Sequence, residues 1–337
     1  MNRGVLYSLV LALLAGLLFV GNLLTGSVHI PMSDVWAILT GASAEVKPSW
    51  VYIVWESRLP QALTAMLSGA ALATSGLLLQ TTFNNPLAGP DVFGISSGAG
   101  LAVAVVMLGI GGGFSFSGYG ISGFVAVLLA ALVGALAVTA LLFFFSTLVR
   151  NNVLLLIVGI MIGYVSGSAI SLLNFLATGE SVKSYLVWGM GSFANVSLSM
   201  IPFFAFVTCA GLFSALMLVK PLNALLLGER YAENLGFRMR RMRHVLLLVT
   251  GLLTAVVTAF CGPVSFLGLA TPHITRFLLS TENHRQLLPV TMLMGTVVAL
   301  LCNLLCFLPG ENGMIPLNVI TPFIGAPVII AVIMRKR

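Results

Sequence analysis

The chain has 337 residues, of which 59% are hydrophobic and only 7% charged, with a formal net charge of +7. An ordinary soluble domain carries about 25% charged residues; so few charges cannot cover a soluble globule, and the mean hydropathy of +1.09 points instead to a polytopic membrane protein. The positive excess fits the positive-inside bias of membrane loops, which sets nucleic-acid binding aside.

About twenty apolar residues make one helical crossing of a bilayer. The first such run, near 5–25, follows Arg3. It is longer than a signal-peptide core and lacks a small-x-small cleavage site, so it reads as a retained span. A second lies near 59–82. It is followed by "FNNPLAGPDVFGISSGAG", residues 83–100, which interrupts the apolar sequence with two prolines, two asparagines, an aspartate and four glycines. That stretch is either a plain turn or the place where the protein meets what it handles, and Asp91 is placed to cap the helix that follows.

Further spans are expected near 92–110, 121–148, 153–177 and 197–219. Gly159, Gly163 and Gly167 form a stripe on one helix face, and Gly94 with Gly98 makes a GxxxG pair. Such residues let backbones approach closely in lipid, so helix packing is preferred over a pathway-lining role.

Between the sixth and seventh spans lies "KPLNALLLGERYAENLGFRMRRMRH", residues 220–244. Pro221 can start a short helix, and Gly228 and Gly236 punctuate the segment. Glu229 and Glu233 fall on one face, with Ala232 and Leu235 placed to pack against a partner. The loop is either an interfacial amphipathic segment with retention charges or a docking element. The two glutamates, poorly suited to an anionic membrane surface, favour docking.

The remaining spans are expected near 244–262, 264–280, 288–308 and 316–334. The span at 264–280 is short and carries His273 and Arg276. Continuous rather than alternating apolar runs exclude strands, so the fold class is all-α with about ten transmembrane helices in a single transmembrane domain. With the N-terminus inside, thirteen of the sixteen Lys and Arg residues fall on the inner side, leaving Lys47, Arg58 and Lys183 outside. Both termini are then cytoplasmic.

Chemistry is sparse. There is no HExxH, GxSxG or Walker-type loop, so no catalytic residue is expected. Cys302 and Cys306 share a face at i,i+4, but no histidine or carboxylate stands at ligand spacing, so they read as packing residues and no metal site is expected. The acidic residues lie in loops or at span ends, away from the bilayer midplane where an ion-coupled carrier usually binds its coupling ion. A transporter without its own coupling site needs an external energy source.

Four stretches together resemble one family. They are "RLPQALTAMLSGAALATSGLLLQTTFNNPLAGPDVFGISSGAG" (58–100), "LNALLLGERYAENLG" (222–236), "GPVSFLGLATPHITRFL" (262–278) and "IPLNVITPFIGAPVIIAVIMRKR" (315–337). In order and spacing they resemble the FecCD-like permease subunits of iron–siderophore, haem and cobalamin ABC importers. The resemblance implies a BtuC-like fold of ten helices in two halves, the second to fifth spans and the seventh to tenth, inverted relative to each other.

It also implies a second permease copy in a homodimer, two cytoplasmic ATPase subunits that use ATP and Mg, an extracytoplasmic binding protein, and no cofactor on this chain. The expected location is the inner membrane. The cargo implied is a bulky metal chelate, with ferric siderophore first and cobalamin or haem as alternatives; an ion-coupled secondary transporter is the alternative of a different class. By the same resemblance Leu222, Gly228, Glu229, Arg230, Ala232, Glu233, Leu235 and Gly236 belong to the segment that couples to the ATPase. Asn85, Leu87, Asn152 and Val153 belong to the gate, and Arg58 to the docking of the binding protein. Two departures stand out: Gln61 where a second arginine is frequent, and Asn303 in place of a common acidic residue.

Overall fold

A computed structural model of the chain describes residues 3–42, 46–109, 123–149, 152–308 and 313–335, and no strand occurs among them. In chain order the helices are α1 (Arg3–Leu24), α2 (Met32–Leu39), α3 (Pro48–Tyr52), α4 (Leu59–Thr82), α5 (Ile95–Met107), α6 (Gly123–Leu148), α7 (Asn152–Leu176), α8 (Gly179–Gly189), α9 (Ile201–Met217), α10 (Val219–Leu225), α11 (Glu229–Asn234), α12 (Met239–Cys261), α13 (Leu267–Leu279), α14 (His284–Cys306) and α15 (Leu317–Arg335). A π-helical turn, Ile53–Arg58, joins α3 to α4, so that Pro48–Thr82 runs as one helix of 35 residues.

A helix falls within each of the ten apolar segments read from the sequence, and seven helical stretches are long and apolar enough to cross a membrane. α5 and α13 are not. Each has 13 residues, about 20 Å of rise against a hydrocarbon core of about 30 Å. The missing length is irregular backbone. Pro86 and Pro90 prevent α4 from continuing, Asn84 takes φ 45° and Gly94 φ 73°. At the matching place before α13, Gly262 takes φ 74°, Pro263 follows, and Phe266 takes φ 68°. Non-helical backbone survives at membrane depth only where protein covers it; Ala88–Pro90, Phe93 and Gly94 of the first turn and Gly262 and Val264 of the second are buried.

α4 forms the centre of the bundle, crossed by α12, α13 and α14. Its small residues allow backbone-to-backbone contact. A Cβ on Gly69 would stand 2.1 Å from the Gly295 carbonyl oxygen, and one on Gly76 would stand 1.7 Å from that of Gly268. Burial of apolar area does not drive helices together in lipid, so this close approach holds the core.

The two halves repeat these contacts. α4 packs on α14 as α12 packs on α6, α5 on α6 as α13 on α14, and α5 on α7 as α13 on α15. The sequence carries an echo of the repeat in Gly89-Pro90 and Gly262-Pro263, and a further one in the following helices. Asn152-Val153 with Gly159 recurs as Asn318-Val319 with Gly325. The packing echoes it: a Cβ on Gly159 would meet the Phe93 Cα at 2.9 Å, and one on Gly325 the Phe266 Cβ at 2.8 Å. An odd number of spans separates corresponding helices, so the halves run in opposite directions.

Candidate functional site

The turn after α4 is held from several sides. The Asn85 N–H donates to the Gln80 carbonyl at 3.1 Å, and the Leu87 N–H donates to Asn85 Oδ1 at 2.9 Å. Phe83 packs on Phe93 with centroids 4.5 Å apart, and Pro90 fits against Gly268 of α13. What this leaves outward is Leu87, 47% exposed at the tip of the turn. Asn85 therefore shapes the turn with its side chain, and Leu87 is the apolar residue the turn presents.

Asp91 does not cap α5 as the sequence suggests. The capping position is Gly94, with no side-chain cap bond, because the extra turn Asp91–Phe93 intervenes. Asp91 Oδ1 instead accepts from Ser96 Oγ at 3.2 Å. It keeps an exposed edge in the isolated chain.

Side chains missed as functional in the sequence complete the turn. His273 and Arg276, at i,i+3 on α13, face it together. His273 Nε2 donates to the Pro86 carbonyl at 2.7 Å. Arg276 donates to Gln80 Oε1 and pairs with Glu282 at 3.0 Å. Gln80 Nε2 in turn donates to the Leu269 carbonyl at 3.2 Å. The available signal was an ionisable pair on a short apolar segment, since charge at that depth is retained where it has partners.

His284, the first residue of α14, extends the network. Its Nε2 lies 2.8 Å from Thr81 Oγ1 near the end of α4, while its Nδ1 lies 3.1 Å from Oδ1 of Asn223 on α10. Asn223 Oδ1 also accepts from the His284 N–H at 2.8 Å. The turn and the 220–243 segment are thus linked through buried hydrogen bonds. A cavity of about 420 Å³ lies between them, lined on one side by Asn84, Asn85 and Pro86 and on another by Leu225 and Leu226.

The 220–243 segment folds as two short helices. Gly228 (φ 100°) separates α10 from α11, and Gly236 (φ 88°) ends α11; both conformations favour glycine. Leu222 and Ala232 are fully buried and seat the two helices on the bundle. Ala232 was expected to pack against a partner, but it faces inward, because the Gly228 turn directs that side of α11 to the protein. Leu235 and Glu233 are exposed, as are Leu227 and Tyr231, while Glu229 pairs with Arg243 at 3.1 Å. Arg230 sits on exposed α11 beside them.

Val153, in the first turn of α7, is exposed; the side chain of Asn152 lies outside the described residues. Gly159, six residues along, touches Phe93, so the start of α7 belongs to the same region as the turn, about 9 Å further along the helix axis. The glycine stripe of α7 is only partly used. Gly159 packs closely, a Cβ on Gly163 would stand 3.7 Å from Ser97 Oγ, and Gly167 has open space.

At the opposite end Arg58 is turned inward and 5% exposed. Its guanidinium donates to the carbonyls of Leu23 and Leu24, at 2.8 and 3.0 Å, and to that of Val28. It satisfies the open carbonyls at the end of α1, and in this conformation it presents no charge to a partner. Gln61 and Asn303 prove to be neighbours. Gln61 Nε2 donates to Asn303 Oδ1 at 2.9 Å, and Asn303 Nδ2 donates to Asn22 Oδ1 at 2.7 Å. The two departures are thus neighbours, joined by one amide–amide hydrogen bond. Cys302 and Cys306 are buried free thiols, and no metal-holding group occurs among the described residues.

Residues 12–335 match the FecCD transport family. The chain is 34% identical over 292 residues to the vitamin B12 import system permease protein BtuC of Photorhabdus laumondii, covering 84% of this chain and 82% of that one. It is 33% identical over 291 residues to the protein of the same name from Salmonella paratyphi A, covering 84% of each. A solved structure described as an inward-facing conformation of a metal-chelate type ABC transporter superposes with a TM-score of 0.83 at 28% identity, covering 97% of this chain and 98% of the other. A helical membrane chain matched to that family over nearly its whole length, it belongs to the FecCD transport family and is the permease of an ABC importer.

Proposed function

We propose that two copies of this chain form a pathway for a bulky metal chelate across the inner membrane, powered by two ATPase subunits that bind ATP and Mg and fed by an extracytoplasmic binding protein. The chain itself contributes no cofactor and no hydrolysis. One observation carries the reading: a single cavity has the 83–87 turn as one wall and Leu225 and Leu226 of the 220–243 segment as another. A push on α10 and α11 therefore reaches the turn through few intermediates. Leu87 from each copy closes the path, Asn85 keeps the turn in shape, and Asn152 and Val153 form a second constriction.

In this reading the end that carries Arg238, Arg240, Arg241, Arg243, Arg276 and Arg285 is cytoplasmic, and both termini lie there. The open face of α7 around Gly167 and Tyr164 suits the second copy, because small residues let helices cross closely. The similarity to two permeases named for vitamin B12 import makes cobalamin the chelate to test first, and ferric siderophore the second. The deciding experiment reconstitutes the permease with its ATPase and binding protein in liposomes. ATP-dependent uptake of radiolabelled cobalamin, ferric siderophores and haem is then measured. Uptake of one chelate that stops when the ATPase glutamate is replaced supports the reading; uptake driven by an ion gradient without ATPase refutes it.

A further inference from the structure

The basic run at the start of α12 has two faces. Arg238, Arg241, Val245 and Leu248 fall along one stripe, at intervals of three, four and three residues. Arg243 is about 180° from that stripe's centre at 100° per residue, where it pairs with Glu229 of α11. Among the described residues no carboxylate lies within ion-pair distance of Arg238 or Arg241. Both arginines are exposed, and so are Val245 and Leu248 further along the helix.

The stripe borders a groove of about 330 Å³ between the first turns of α12 and the junction of α9 with α10. Arg238 and Arg241 stand on one lip, and Leu218, Pro221, Phe237 and Val245 supply apolar wall. Met217 and Phe213 of α9, both exposed, continue that apolar surface toward the middle of the bundle. Two unpaired cations above an apolar track, at the point where helices leave the bilayer, match one chemistry: an anionic headgroup with acyl chains attached.

We propose that this groove binds an anionic phospholipid of the leaflet that borders the basic end, the phosphate on Arg238 and Arg241 and one acyl chain along Val245 and Leu248. The site takes Arg238 and Arg241 at the end of the 220–243 segment and none of the exposed α11 side chains Tyr231, Glu233 and Leu235, so bound lipid would brace α10 against α12 from the membrane side. The leaflet assignment rests on the sidedness proposed above; binding itself does not.

Detergent micelles have no sidedness and therefore separate the two questions. The full-length permease is titrated with phosphatidylglycerol and with phosphatidylcholine, and bound lipid is counted by native mass spectrometry. Wild type should bind phosphatidylglycerol in preference to phosphatidylcholine. The double variant Arg238→Ala/Arg241→Ala should weaken that binding about fivefold per arginine, about thirtyfold in all. Arg238→Lys/Arg241→Lys should keep most of it, and Arg285→Ala, at another exposed arginine of the same end, should keep it within about twofold. Equal binding by the double alanine variant, or equal loss in Arg285→Ala, overturns the site. Competition by glycerol phosphate as strong as by the whole lipid would make it an anion site instead. Loss of ATPase co-purification with lipid binding unchanged would assign the face to the ATPase.

Discussion

Asn303→Asp tests whether Gln61 and Asn303 form a unit. Gln61 and Asn303 are 4% and 3% exposed and 2.9 Å apart. A carboxylate at position 303 keeps the acceptor for Gln61 but loses the donor to Asn22 Oδ1, and it places a charge in a buried site with no cation. Leaving a charge buried and unpaired costs about 3–5 kcal/mol. With roughly 2 °C per kcal/mol for a chain above 250 residues, the apparent unfolding midpoint in detergent should fall by about 6–10 °C at a fixed scan rate. Gln61→Arg alone should cost a similar amount for the opposite charge. Together the two changes restore an ion pair across the same gap and should recover at least about half of the summed loss, a coupling of about 3 kcal/mol or more. Recovery stays incomplete because Asn22 Oδ1 then faces a carboxylate. Additive loss in the double variant would refute the pairing of Gln61 with Asn303.

Removing the His273 bond to the Pro86 carbonyl in His273→Ala should weaken the closed turn by about 1 kcal/mol and raise passive chelate flux through empty proteoliposomes several-fold; Leu87→Gly should leak more, and unchanged flux in both would remove the turn from the gate. Ala232→Pro places a proline at the buried residue of α11 and removes its N–H bond to the Gly228 carbonyl, so ATPase activity in the complex should continue while uptake falls at least about tenfold; uptake that tracks hydrolysis would refute the coupling assignment. Arg58→Ala opens three carbonyls near the end of α1 and should lower the midpoint by several degrees, at about 1.5–3 kcal/mol for bonds from a charged donor. Binding-protein affinity of the surviving variant should stay within about threefold by surface plasmon resonance if Arg58 acts only beneath the surface.

What the sequence could tell depended on the kind of regularity involved. Long apolar runs such as 123–148 and 284–306 are legible because lipid requires about twenty such residues with every backbone group satisfied. α5 and α13 are less so. Their apolar runs continue past the helical part, and only the positive φ at Gly94 and Phe266 fixes where helix begins. The turn at 83–94 announced itself through Pro86 and Pro90, yet the residues that hold it, His273 and Arg276, are about 190 positions away, as the His273 bond to Pro86 measures. Arg58 shows the opposite limit. A lone arginine at a span end is equally a surface charge and a buried helix cap, and only the position of α1's last carbonyls separates the two.

The inverted halves sharpen why one end of the pathway should move. The turns before α5 and α13 are equivalent in the repeat, but they are fastened by different chemistry. At 262–266 the side chain of Asn318 accepts from the Ser265 N–H at 3.0 Å and donates to the carbonyls of Pro263 and Gly189, while the Ser192 N–H donates to the Cys261 carbonyl. All of these are neutral bonds made directly to backbone, with no coupling element in the path. Its counterpart at 83–94 is held by His273 and by the Arg276–Gln80 contact, and it connects through Thr81 and His284 to Asn223 on α10. Equal folds thus carry unequal constraints. A displacement of α10 acts on Thr81 within two hydrogen bonds, whereas nothing comparable reaches Ser265 among the described residues. The proposed gate at Asn85 and Leu87 is therefore the turn that hydrogen bonds connect to the proposed coupling segment, and the corresponding turn of the second half would be its fixed abutment.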